Sequence, residues 1–151
     1  MLNQVIGRQA EQHTLEAFLS TDVAEFLAIY GRRRVGKTFL IRNFFKDKDV
    51  IFFNVTGAKD MPLREQIKHF TSQIGKIFYN YKGSHLAPGK NWDETFELLT
   101  EVMSSTSDSQ KIVLFFDEFP WLATKNSKLL QSLDYYWNQH WSQNGRIKLI
   151  I

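Results

Sequence analysis

The sequence contains no cysteine among its 151 residues, which excludes disulfide bonds, cysteine-bound zinc and thiolate catalysis. Long apolar runs are missing too. The longest runs, of which residues 112–116 are an example, are far too short to cross a membrane. Residues 1–6 show no basic segment followed by an apolar one, so no secretory signal is predicted. We therefore expect a soluble, cytoplasmic protein.

The charge balance is only slightly basic, with 19 Lys and Arg against 16 Asp and Glu and a net charge of +3. Such a balance does not indicate nucleic acid binding unless the basic residues cluster. Hydrophobic residues make up 43% of the chain, and the sequence contains 13 Phe. This is enough apolar material for one packed core, and it excludes disordered and low-complexity classes.

Short apolar segments alternate with segments of helical spacing. Four segments have the continuous apolar character of strands buried on both faces of a parallel sheet: residues 25–30, 50–55, 111–116 and 147–151. Between them, apolar residues recur every three or four positions in three stripes: Leu63, Ile67, Phe70, Ile74, Ile77 and Phe78; Trp92, Phe96, Leu99 and Met103; Leu130, Leu133, Trp137 and Trp141.

The order of these segments, with a shorter stripe at residues 15–19, is helix and then β-α-β-α-α-β-α-β. It predicts a three-layer α/β domain with a parallel sheet. Polar loops are predicted at residues 81–90 and 104–110, and Asn91 and Glu94 are placed as a helix capping box. We expect the aromatic residues of the stripes to be buried in the core rather than to form a base-stacking surface.

The most specific motif directly follows the first predicted strand. Eight residues match G-x-x-x-x-G-K-[ST] at every fixed position: Gly31, Arg32, Arg33, Arg34, Val35, Gly36, Lys37 and Thr38. The glycines let successive N–H groups face one phosphate, and the helix predicted to begin at Lys37 points its positive end there. Lys37 would contact the β- and γ-phosphates, and the Thr38 hydroxyl would bind Mg²⁺. Phe39 continues this nucleotide-binding segment into the helix.

The three arginines of this motif, Arg32, Arg33 and Arg34, occupy its variable positions, where side chains usually point away from the phosphates. They could contact nucleic acid or an acidic partner. Alternatively, they form a solvated loop whose charge attracts anions, and the sequence favours this second interpretation.

A second motif consists of the apolar residues 112–116 followed by Asp117 and Glu118. Both acids would lie at the carboxyl end of a buried strand, where ligands bind in open α/β sheets. Asp117 is predicted to hold Mg²⁺ opposite Thr38, and Glu118 to orient and deprotonate the attacking water. The alternative for Glu118 is a solvated residue at the start of a loop.

The acidic pair also favours one class of reaction. A small-molecule kinase needs no water-activating glutamate after the strand aspartate, and the guanine-binding tetrapeptide Asn-Lys-x-Asp of GTPases does not occur. The two motifs together therefore predict ATP hydrolysis.

Three motifs, taken in order, resemble the archaeal-type P-loop ATPases, an AAA-like, STAND-related family found in archaea and bacteria. The resemblance spans essentially the whole chain. It rests on Ile6, Gly7 and Arg8 with Glu11 and Leu15, on GRRRVGKT at residues 31–38, and on DEFPWL at residues 117–122.

The resemblance implies an ATP- and Mg²⁺-binding domain with strand order 2-3-4-1-5, in which the fourth strand lies between the two motif strands. It assigns phosphate and metal binding to Gly31, Gly36, Lys37 and Thr38. It also assigns Mg²⁺ binding to Asp117 and the role of catalytic base to Glu118, and it places Gly7 and Arg8 near the adenine.

Family members continue from the fourth strand into a polar sensor residue, a fifth strand, a helical lid and further domains. Because residues 147–151 end inside a predicted central strand, we expect a truncated single domain with a helical segment at 1–24 and a nucleotide-binding core at 25–151. A protein or DNA partner would be contacted through the further domains, and an oligomer is compatible with this arrangement.

The leading hypothesis is thus an ATP-binding, AAA-like domain designed for Mg-dependent hydrolysis coupled to conformational change. Two alternatives stay open. One is a nucleotide-binding switch or remnant that binds ATP without turnover, and the other is a nucleic-acid-binding adaptor that uses its basic loop.

Overall fold

A computed structural model of the chain describes residues 9–29, 36–80 and 86–151. Helices and strands alternate in these ranges in the predicted order: α1 (Gln9–Ser20), β1 (Glu25–Leu27), α2 (Lys37–Lys46), β2 (Val50–Thr56), α3 (Leu63–Tyr79), α4 (Trp92–Ser104), β3 (Lys111–Asp117), α5 (Phe119–Leu122), α6 (Leu129–Gln139), a 3-10 turn (Trp141–Gln143) and β4 (Ile147–Ile150). None of the helices in these ranges is long and apolar enough to cross a membrane.

The four strands form one sheet in the order β2-β3-β4-β1, and every neighbouring pair is parallel. This confirms the predicted α/β fold and the expected order of the four strands. β4 lies between β1, which precedes the glycine-rich motif, and β3, which ends in Asp117. Because the strands are parallel, the segments that follow β1, β2 and β3 all leave the sheet at its carboxyl edge.

Helices cover both faces of the sheet and make the predicted three layers. On one face, α1 and α2 pack against β3 and β4 through residues that include Leu15, Phe18, Ile41, Phe45, Val113, Phe115 and Ile150. On the other face, α3, α4 and α6 enclose a larger cluster that includes Ile67, Phe70, Trp92, Phe96, Leu114, Phe116, Leu133 and Trp141. The aromatic residues are therefore mostly core residues, as expected from their spacing.

Two members of the predicted apolar stripes are exposed. Leu63 is 38% exposed and Leu130 is 59% exposed, so the prediction that they belong to the core is wrong. Leu129 takes the buried position at the start of α6, which turns the next residue of the helix toward solvent. Trp141 is buried as predicted but lies in the 3-10 turn after α6 has ended, where its Nε1 donates to Thr100 Oγ1 at 2.8 Å.

The helix cap predicted before α4 is present. The Asn91 side chain accepts a hydrogen bond from Glu94 N at 2.9 Å, and the Glu94 carboxylate accepts one from Lys90 N at 2.9 Å. In a standard capping box the glutamate would accept from the N–H of the cap residue, Asn91. Here it accepts from the N–H of the preceding residue, Lys90. Both bonds satisfy donors near the start of the helix.

A buried lysine at the amino edge of the sheet was not expected from the sequence. Lys148 lies in the central strand β4 with no exposed surface, and its Nζ donates to Thr21 O, Thr21 Oγ1 and Val23 O. Lys111 donates to Leu19 O and Thr21 O at 2.7 and 2.8 Å. The two ammonium groups therefore hold the segment between α1 and β1 against the sheet. Desolvation by burial lowers the pKa of Lys148, and the charge of Lys111 lowers it further.

Candidate functional site

The glycine-rich motif joins β1 to α2, and the part of it that the structure describes begins at Gly36. This glycine has φ 84° and ψ 12°, which is the left-handed region that glycine adopts without steric cost. Its carbonyl oxygen accepts a hydrogen bond from Leu40 N at 2.9 Å, so the helix begins at Lys37 as predicted. Other predicted site residues lie outside the described residues: Gly7, Arg8, Gly31, Arg32, Arg33, Arg34 and Val35.

The first turn of α2 has the properties of an anion-binding helix end. The cap residue Gly36 has no side chain that could accept from the first N–H groups of the helix, and no acidic residue lies in the first turn. The positive end of the helix is therefore not neutralised by a carboxylate of its own first turn. Lys37 and Thr38 are half-buried here, whereas Phe39 is 38% exposed.

A hydrogen bond connects the two sequence motifs. Thr38 Oγ1 donates to Asp117 Oδ2 at 2.8 Å, across 79 positions of sequence. The Asp117 side chain lies at the end of β3 and is buried, and its Oδ1 accepts from Glu118 N at 2.9 Å. Both carboxylate oxygens therefore have a donor, and the Thr38 hydroxyl and the Asp117 carboxylate lie side by side at the carboxyl edge of the sheet.

Glu118 follows Asp117 in an unusual backbone conformation. Its φ of 51° and ψ of 46° place a non-glycine residue in the left-handed region, which costs about 1–2 kcal/mol. Its carbonyl oxygen accepts a hydrogen bond from Trp121 N at 3.0 Å, and it caps the one-turn helix α5. Such a conformation persists only where the surrounding structure holds it.

Two residues that the sequence reasoning missed pack around this turn. Gly57 N donates to Asp117 O at 2.9 Å, and a Cβ at position 57 would lie 2.6 Å from Glu118 O. Gln66 is 3% exposed, and its amide joins Ala58 N to Trp121 O. A glycine directly after a strand and a glutamine on the apolar face of a predicted helix were the available signals for these residues.

The side chains at this edge can provide hard oxygen ligands. No group of three or more His, Cys, Asp or Glu that could hold a metal exists within the described ranges. A hydroxyl and one carboxylate fit Mg²⁺, which is usually bound through one or two carboxylates, several waters and the phosphates of a substrate. The site could therefore accept a magnesium ion that arrives with a nucleotide.

Comparisons with known proteins agree with this fold. Residues 6–151 match a family of ATPase domains predominantly from Archaea. An uncharacterized protein of Methanocaldococcus jannaschii is 27% identical over 146 residues, which cover 97% of this chain and 28% of that protein. An uncharacterized ATP-binding protein of the same organism is 40% identical over 45 residues, covering 30% of this chain and 76% of that protein.

The Walker-type ATPase of Pyrococcus abyssi has a similar structure, with a TM-score of 0.54 and 21% sequence identity. The similarity covers 95% of this chain and 43% of that one, so the present chain spans less than half of the solved structure. At this identity the likeness shows a shared fold, and the match to the family over residues 6–151 shows the relationship. The chain belongs to the family of ATPase domains found predominantly in Archaea.

Proposed function

We propose that this chain binds Mg-ATP at the carboxyl edge of its sheet and that the site hydrolyses ATP, with turnover coupled to conformational change. The observation that carries the proposal is the 2.8 Å contact between Thr38 Oγ1 and Asp117 Oδ2, because it joins the two sequence motifs that would form one nucleotide site. Membership of the ATPase family and the name of the ATP-binding relative support the choice of nucleotide.

The phosphates of ATP would be held by the glycine-rich segment and the start of α2. The helix end at Lys37 is not neutralised by a first-turn acid, so its N–H groups and its dipole favour negative charge. Lys37, in the first turn, would add a full positive charge toward the β- and γ-phosphates. Gly7 and Arg8 are proposed to lie near the adenine, on the strength of the family resemblance.

Thr38 and Asp117 would hold the magnesium ion, since their oxygen atoms are adjacent and of the chemical type that Mg²⁺ prefers. The ion would neutralise charge on the β- and γ-phosphates and orient them.

Glu118 would act as the general base. Its carboxylate would accept a proton from a water molecule, whose oxygen attacks the γ-phosphorus while the bond from that phosphorus to the bridging oxygen breaks. ADP and inorganic phosphate are the products. The position of Glu118 directly after the buried Asp117, at the carboxyl end of β3, supports this role.

Binding is tested by titration calorimetry with Mg-ATP on the wild-type chain and on Lys37→Ala. We expect the affinity to fall about 10-fold or more, because a charge-assisted contact to phosphate is lost. Lys46→Ala, which removes an exposed lysine from the last turn of the same helix, is the matched control and should bind like the wild type. Equal affinity of Lys37→Ala and the control would contradict the phosphate-binding role.

Hydrolysis is tested by phosphate release from the wild type, Glu118→Gln and the control Glu101→Gln, whose glutamate is exposed on α4. Glu118→Gln should keep ATP bound while turnover falls about 10²-fold or more. A wild-type chain that binds Mg-ATP but releases no phosphate would support a nucleotide-binding switch instead. Salt-sensitive DNA binding without nucleotide specificity would support the adaptor alternative.

A further inference from the structure

We propose that Gln66 is a positioning residue for hydrolysis, because it holds the backbone turn that directs the Glu118 carboxylate. This inference rests on the proposed ATP hydrolysis and assigns part of its control to α3, a helix outside the two sequence motifs. In the proposed role Gln66 contacts neither the nucleotide nor the attacking water. It acts through its hydrogen bond to α5.

Both ends of the Gln66 side chain are used inside the protein. Nε2 donates to Trp121 O at 2.5 Å, and Oε1 accepts from Ala58 N at 3.3 Å. The side chain is almost completely buried, at a depth where apolar side chains are usual. Its neutral amide places one donor and one acceptor at fixed positions there. A buried and satisfied amide of this kind specifies one arrangement of the segments that it joins.

The bond to Trp121 continues to Glu118 through the backbone. Trp121 O is held by Gln66, while Trp121 N donates to Glu118 O at 3.0 Å. Helix α5 has four residues, which is too short to be stable without external contacts. The amide of Gln66 therefore supports the one turn of helix that keeps Glu118 at φ 51°.

The conformation of Glu118 decides where its carboxylate points. If α5 were released, the residue would relax to the ordinary helical or extended region, which is lower in energy for a non-glycine residue. The direction of its Cα–Cβ bond relative to β3 would then change. A base displaced by even about 1 Å can lose about 10²-fold in rate. Phosphate binding by α2 would not involve this turn, and Asp117 would keep its bond from Thr38 Oγ1, which uses the carboxylate oxygen that does not bond to Glu118 N.

The opposite end of the amide connects this turn to the segment that follows β2. Ala58 lies just after Gly57, whose N–H extends the β2–β3 ladder to Asp117 O. The Gln66 side chain thus joins the segments that leave β2 and β3 at the same edge of the sheet. An apolar residue at position 66 would leave Ala58 N and Trp121 O without this bridge.

The test uses two substitutions of different chemistry. Gln66→Met keeps the length of the side chain and removes both hydrogen bonds, and Gln66→Glu keeps an acceptor for Ala58 N but has no N–H for Trp121 O. Thr71→Val is the matched control, since Thr71 is a buried polar residue of the same helix whose hydroxyl donates within the helix, to Ile67 O. For each variant we would measure thermal melting, the Kd for Mg-ATP, and kcat and KM for phosphate release.

We expect both Gln66 variants to lose about 10-fold in kcat, with Kd and KM for ATP within about twofold of wild type, and Thr71→Val to keep wild-type kcat. Combined with Glu118→Gln, Gln66→Met should cause no further loss, because a positioning residue has no effect once the base is removed. An equal loss in both backgrounds, or an unchanged kcat in Gln66→Met, would overturn the inference.

The two proposals can fail separately. If the wild-type chain releases no phosphate, the proposed hydrolysis is wrong and this inference is wrong with it. If the wild type is active and Gln66→Met is equally active, only the role of Gln66 is wrong. Failure of both Gln66 variants to fold while Thr71→Val folds would assign Gln66 a purely structural role, which also overturns the inference.

Discussion

Substitution of Gly57 by alanine should disturb the turn at Glu118 from the side opposite to Gln66. Gly57 is buried directly after β2, and a Cβ there would lie 2.6 Å from Glu118 O and 2.8 Å from Leu122 N. Both neighbours are backbone atoms, so no flexible side chain can move aside. The strain must instead displace Glu118 and α5 away from β2.

The expected cost follows from two opposing effects. Forcing an extra methyl group into a packed site typically lowers the free energy of unfolding by about 1–3 kcal/mol. Alanine also has fewer conformations than glycine in the unfolded chain, which raises the free energy of unfolding by about 0.4–1 kcal/mol. The net loss should be about 1–2 kcal/mol, which lowers the melting temperature by about 2–8 °C in a chain of this size. Because Glu118 moves with the turn, kcat should fall about 10-fold or more while Mg-ATP affinity stays close to wild type.

Gly145→Ala is the matched control. A Cβ at Gly145 would meet the backbone carbonyl oxygen of Asp22, so this variant should also be destabilised, but it lies at the amino edge of the sheet. Thermal melting and phosphate release would be measured on both variants, at a temperature where both are folded. Wild-type kcat in Gly57→Ala, or an equal loss of kcat in the two variants, would refute the reasoning.

Three further predictions test other parts of the molecule. Thr38→Val keeps the side-chain shape but removes the oxygen next to Asp117, so the gain in ATP affinity on adding Mg²⁺ should shrink in calorimetry; an unchanged gain would contradict the metal role. Asn91→Ala should lower the free energy of unfolding by about 1 kcal/mol in urea titrations while leaving Mg-ATP affinity unchanged, because the lost cap belongs to neither of the two sequence motifs. Burial lowers the pKa of Lys148, so between that pKa and the ordinary lysine value the folded chain binds fewer protons than the unfolded chain. The free energy of unfolding should therefore rise with pH across this interval, and rise less in Lys148→Met; equal slopes would show that Lys148 does not contribute.

The fold was predictable because continuous apolar runs and helical stripes are strong local signals. All four predicted strands are present, and the central ones are buried on both faces, as at residues 112–116. The errors arise where burial depends on a neighbour rather than on spacing, as with Leu130, which is displaced from the core by Leu129. Lys148 could not be assigned to the core from the sequence, because its burial depends on carbonyl groups of the segment between α1 and β1.

The candidate site was predictable to a different extent in its two parts. The pairing of Thr38 with Asp117 follows from two motifs and a strand order, since parallel strands bring their carboxyl ends to one edge. The surroundings of Glu118 do not follow in the same way. Gly57 and Gln66 act through contacts between segments that carry no motif, and only the folded arrangement reveals those contacts.

The Thr38–Asp117 pair and the Glu118 turn are also held by different helices. Thr38 lies on α2, which packs with α1 on one face of the sheet, and Asp117 ends β3, which is buried between the two apolar layers. Glu118 is held by α5, which bonds through Gln66 to α3 and to the segment after β2, on the opposite face of the sheet. If Glu118 is the general base, as proposed, movement of α3 would alter its direction through Gln66 and α5, while Thr38 stays on α2 at the other face of the sheet. Under the proposed mechanism, a change in α3 is therefore expected to alter ATP turnover more than ATP binding.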